Sequence, residues 1–75
     1  MPTVEEVVFC NQDDVDYRIL NAFPRLSNLT ISGCGCDDIS FLKNHPELEY
    51  LDLSYNYIRD VSVLENLPLL KYVNL

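Results

Sequence analysis

The chain has 75 residues, twelve acidic against five basic side chains, a net charge of −7 and 48% hydrophobic residues. That length allows one domain at most, which buries only about 60% of its unfolded surface. The apolar fraction is ordinary for a globular protein and argues against disorder, and the acidic balance argues against nucleic acid and anionic membrane, both of which are held by clustered Lys and Arg.

The first segment runs from Pro2 to Phe23. Val4, Val7 and Phe9 alternate along a strand, where β-branched residues pack well. Asn11-Gln12-Asp13-Asp14 is a polar turn. A short helical arc follows from Asp16 to Phe23, with Asp16 as its N-cap and Ile19, Leu20 and Phe23 expected on one side. Glu5 and Glu6 stand where a secretory leader would be basic. No apolar run approaches the roughly 20 residues of a membrane span.

The second segment, Pro24 to His45, centres its strand on Leu29-Thr30-Ile31. Gly33 and Gly35 bracket Cys34 and suit a tight turn out of that strand. Asp37 or Asp38 is expected to cap the arc Ile39–Leu42. The third segment, Pro46 to Leu67, begins with alternation at Leu51 and Leu53, turns at Asn56, and continues in steps of three through Ile58, Val61, Leu64 and Leu67. The fourth, Pro68 to Leu75, supplies another strand. An uncovered strand there invites pairing with another chain. A fragment of a longer array, a dimer and a frayed end are all open, and the first is the expectation.

These segments share one step. Pro2, Pro24, Pro46 and Pro68 are 22 residues apart, as are Val7, Leu29, Leu51 and Val73, and Asp16, Asp38 and Asp60. The pattern predicts three full coils, 2–23, 24–45 and 46–67, with a partial fourth at 68–75. One such coil cannot bury its apolar edge alone. Leu48-x-x-Leu51-x-Leu53-x-x-Asn56 and Leu26-x-x-Leu29-x-Ile31-x-x-Cys34 resemble the leucine-rich repeat signature. The 22-residue length resembles the short repeats of phosphatase-regulatory leucine-rich proteins and of bacterial internalins. The resemblance implies an α/β fold: a right-handed solenoid with a parallel β-sheet on its concave face and short 3₁₀ or α turns on its convex face. It implies a protein-binding surface rather than an enzyme, and names no partner.

Several residue groups carry alternative chemistry. Gln12, Cys34 and Asn56 occupy one place in the coil, where an amide satisfies turn backbone and a Cys serves as a small apolar filler. Cys34 and Cys36, with Cys10 and His45, invite a metal reading, but zinc sites space paired Cys by two to four residues and here one separates them. His45 replaces an apolar residue and reads as a partly buried, satisfied histidine before it reads as a pH switch. Cys10 is the thiol expected to be accessible. No catalytic set and no phosphate loop is present, so neither enzyme activity nor a cofactor is expected. Three Cys form no disulfide framework and favour a reducing, cytoplasmic or nuclear setting.

What remains is the face of the sheet that the apolar residues leave free. Alternation along strands places Glu6, Asn28, Thr30, Tyr50, Asp52, Ser54, Tyr72 and Asn74 there. Tyr50 and Tyr72 fall side by side, as a binding surface or as a pair that only stabilises the sheet. The expected function is non-enzymatic binding of a protein partner, which the acidity allows to be basic, with no nucleic acid and no membrane. The alternative is stacking, capping or self-association through the open edge at 73–75.

Overall fold

Strands form where the apolar residues alternate. The computed structural model describes residues 5–75; Pro2 and Val4, read above as the start of the first coil, lie outside the described residues. The four strands are β1 (Glu5–Cys10), β2 (Leu26–Ser32), β3 (Tyr50–Asp52) and β4 (Tyr72–Asn74). They form one parallel sheet in chain order, β1-β2-β3-β4. The pairing keeps a 22-residue step: Glu6, Asn28, Tyr50 and Tyr72 form one row, and Val7, Leu29, Leu51 and Val73 the next. One irregularity falls between Glu5 and Glu6.

Parallel neighbours require a crossover between strands. Each crossover contains a 3₁₀ segment, at Tyr17–Ala22, Ser40–Asn44 and Ser62–Asn66. Their beginnings are alike. The Oδ1 atoms of Asp16, Asp38 and Asp60 accept the N–H two residues on, from Arg18 at 3.0 Å, Ser40 at 2.9 Å and Ser62 at 2.9 Å. Their ends are alike too. Phe23, His45 and Leu67 donate their N–H groups three residues back, to Leu20, Leu42 and Leu64. A proline follows each end and has no N–H with which to continue. Seven residues between each aspartate and the next proline leave room for 3₁₀ segments of five or six residues but not for a long helix.

The core lies between these turns and one face of the sheet. Leu26, Leu29, Ile31, Leu48, Leu51 and Leu53 come from the strand side, and Leu20, Ile39, Leu42 and Leu67 from the turn side. Full burial of one such side chain is worth about 1.5–3 kcal/mol. Tyr17 extends the core sideways. Its ring stacks on Phe41 at 4.7 Å and meets Phe9 edge-on at 6.0 Å.

Two expectations about the core are corrected. Ile19 and Phe23 were expected beside Leu20, but only Leu20 of the three is buried. With three residues per turn, Tyr17 and Leu20 share the inner side and Ile19 is rotated away. His45 is buried at 2% exposure, but its Nδ1 has no hydrogen-bond partner among the described residues, so it is not the satisfied histidine expected. The third turn is also looser than its spacing suggests. Val61 is exposed and Leu64 half-buried, because no further turn packs on their outer side.

Candidate functional site

One face of the sheet carries the core, and alternation sends the other residues to the opposite face. Seven of the eight positions expected there stand in its paired rows, and Ser54 lies just past the end of β3. Asn28 pairs with Glu6 and with Tyr50, and Tyr50 with Tyr72. In the second row Thr30 pairs with Val8 and Asp52, and Asp52 with Asn74. At the strand ends, the Oγ atoms of Ser32 and Ser54 lie 3.3 Å apart, and Asp52 Oδ1 accepts the Ser54 N–H at 3.0 Å. The sheet thus brings Glu6, Asn28, Thr30, Tyr50, Asp52, Tyr72 and Asn74 onto one surface.

Towards its β4 edge that surface is aromatic. The rings of Tyr50 and Tyr72 stack with centroids 4.5 Å apart and planes 5° from parallel. They remain 38% and 46% exposed, so stacking leaves much of both rings free for contact. Loss of solvent around Tyr50 raises its phenol above the ordinary value, and Tyr72, Asp52 and Glu6 add to the shift. The last two contributions are negative charge near the ring. None of the five basic residues occupies a position of these two rows. Lys71, next in sequence to Tyr72, is held by Glu49 at 3.2 Å.

The turn after each strand has a different role. Asn56 Oδ1 accepts the N–H groups of Cys34 at 2.9 Å and Cys36 at 3.1 Å. Its Nδ2 donates to the carbonyls of Leu53 at 2.9 Å, Ser54 at 3.2 Å and Ile31. One amide therefore ties two successive turns together. The Cys34 thiol addresses the equivalent carbonyls of the preceding turn, Phe9 at 3.6 Å and Ser32 at 3.4 Å, and does so weakly. The same turns contain a feature that the sequence spacing did not expose. Asn11, Gly33 and Tyr55, 22 residues apart, all have left-handed backbone, with φ of 55°, 65° and 61°. Glycine marks only the middle one.

The other candidates do not assemble into a chemical site. Cys34 and Cys36 are buried and Cys10 is exposed. Burial raises the Cys36 thiol, outweighing the nearby Tyr17 hydroxyl and the Asp38 backbone, which favour its thiolate. A thiol so shifted is a poor nucleophile. Burial, and secondarily the neighbouring Cys36, likewise holds the Tyr17 phenol far above its usual range. Among the described residues, no three His, Cys, Asp or Glu side chains converge as metal ligands would. No helix among them is long and apolar enough to cross a membrane. No family model, curated protein or solved structure matches the chain.

Proposed function

We propose that this chain is a short leucine-rich repeat solenoid, and that it binds a protein partner through the concave, turn-free face of its sheet without catalysing a reaction. The observation that carries the binding role is the exposed Tyr50–Tyr72 stack. Tyrosine offers large, rigid contact area with a polar tip and is enriched where proteins bind. Glu6 and Asp52 share that face, whose two paired rows hold no basic residue, so the stack stands on an acidic surface. The repeat assignment rests on the 22-residue register and on the amide at Asn56.

The partner is a protein with a basic surface, since Glu6 and Asp52 would repel an acidic one. Nucleic acid and anionic membrane are disfavoured for the same reason. Three free thiols suit a reducing compartment, the cytoplasm or nucleus. With four short strands the contact area is small, so affinity is expected to be modest.

The test is a display selection of basic peptides against the wild-type chain, followed by titration of the winners with the Tyr50→Ala/Tyr72→Ala double variant. Affinity is expected to fall at least about tenfold, the order of loss for removing one hot spot, with circular dichroism unchanged. Winners that bind the folded double variant as tightly would refute the assignment.

A further inference from the structure

β1 and β4 are the two edges of the sheet, and among the described residues apolar side chains are exposed at both ends. At the β4 end Leu69, Val73 and Leu75 are exposed, Leu75 at 61%. Leu53, Asn56, Ile58, Val61 and Leu75 line a cleft there. At the β1 end Val8, Ile19 and Phe23 are exposed, and Phe9, Val15 and Ile19 line an open cleft together with Gln12 and the charged Asp13, Asp14, Asp16 and Arg18.

We propose that these two ends fit each other, and that the chain associates head to tail with a second copy of itself, β1 of one copy adding beside β4 of the other. The argument is the register. From Glu6 onward every pairing row within the chain advances by 22 residues, so the next place in each row can be read off. Glu6 of the second copy would stand beside Tyr72, Val7 beside Val73, and Phe9 beside Leu75. On the turn side, Ile19 of the second copy would cover Val63, and Tyr17 would cover Val61. These are the apolar residues that the isolated molecule leaves exposed or half-buried at its two ends.

The polar groups fit as well. Within the chain, the Asn56 amide takes the N–H groups of Cys34 and Cys36. The corresponding N–H groups at the β4 end are those of Asn56 and Ile58. Gln12 of the second copy reaches that place with the same amide on a side chain one methylene longer. Charge is complementary in the row of Glu49 and Lys71. Lys71 Nζ lies 3.2 Å from Glu49 and would meet Glu5 of the second copy on its other side. This contact uses the sheet edges and leaves the tyrosine face open. It is heterologous and does not close on itself, so it yields an open series of oligomers rather than a symmetric dimer.

Sedimentation velocity over rising concentration tests it. The wild-type mean mass should climb past that of a dimer. Ile19→Asp blocks one end and Leu75→Asp the other, and both replace exposed side chains. Each variant alone should stay monomeric, and an equimolar mixture should form a dimer and nothing larger, since one good end of each kind remains. Should Ile19→Asp lose its fold by circular dichroism, Glu5→Lys and Lys71→Glu give a second test: each alone puts like charges at the contact and weakens association, and their mixture restores the open series, because alternating copies place opposite charges at every contact. A wild-type chain that stays monomeric at millimolar concentration, or variants that associate alone as well as wild type, would overturn the proposal.

Discussion

Replacing Asn56 with alanine tests the physical basis of the coil more directly than any core truncation. The side chain accepts two backbone N–H groups and donates to three carbonyls. Its Nδ2 has two hydrogens, so the three carbonyls share two donations and the amide makes four full hydrogen bonds. At roughly 1 kcal/mol net for each, the sum is about 4 kcal/mol. Asn56 is only partly buried, so water re-pairs some of the freed groups and the expected loss is about 2–4 kcal/mol. For a small domain that is a large part of a total near the low end of 5–15 kcal/mol. The comparator is Cys34→Ala, which removes the side chain at the equivalent place but only two weak thiol contacts. It is expected to lose about 1 kcal/mol, most of it the lost apolar contact of the sulfur. Urea unfolding followed by far-ultraviolet circular dichroism measures both, with stability taken from the midpoint at constant slope. The reasoning fails if Asn56→Ala loses no more than Cys34→Ala.

Three further outcomes follow from the same coordinates. Tyr55 is 85% exposed with φ of 61°, a conformation costing most residues roughly 1–2 kcal/mol. Glycine loses part of that gain to its freer unfolded state, so Tyr55→Gly should raise stability by about 0.5–1 kcal/mol in the same urea assay. Gly33→Ala should lower it, because φ is 65° there and an added Cβ would lie 2.5 Å from Asn11 Oδ1. The third outcome concerns pH. Burial lowers the His45 imidazole below its ordinary 6.5. The unfolded chain therefore takes up its proton first, and stability present above pH 6.5 declines as pH falls below it. His45→Leu, matching Leu67 at the next position of the row, should flatten the urea midpoint across that interval. Asp16, held down to about 2 by its hydrogen bonds from Arg18, and Asp38 and Asp60, lowered by those from Ser40 and Ser62, add a second decline starting below 3.8. His45→Leu should leave that second decline in place.

Rows of residues were legible because a constant step needs only counting. The aspartates at 16, 38 and 60 and the face that holds Tyr50 and Tyr72 follow from the 22-residue spacing, and the parallel sheet from the resemblance which that spacing supports. Features that depend on what lies beyond a residue's own row were not legible. Val61 and Leu64 have the spacing of core residues, but their burial requires a neighbour on the outer side. Strand lengths are likewise unequal, with β2 spanning seven residues and β3 three. The left-handed turn position hid because its residues, Asn, Gly and Tyr, share no side-chain chemistry. Its signal is backbone conformation, which glycine announces and tyrosine does not. The missing partner of His45 Nδ1 is a through-space fact with no counterpart in spacing.

The successive coils also serve as comparisons for one another. Where a row must fill the core it stays apolar, as in Val7, Leu29, Leu51 and Val73. Where it must open a turn it stays aspartate. The rows of the free face change from coil to coil: Glu6, Asn28, Tyr50 and Tyr72 in one, Val8, Thr30, Asp52 and Asn74 in the other. Folding requires of those positions only that they tolerate a strand, and a strand tolerates many side chains. Their identity is therefore left open by the physics that fixes the rest. Along that face the character runs from acidic and aliphatic at β1 to aromatic and amide-bearing at β4. A partner that recognised the fold alone would be indifferent to this gradient. A partner of fixed orientation would use it, with its cationic groups set against Glu6 and Asp52 and its apolar contact on the tyrosine pair.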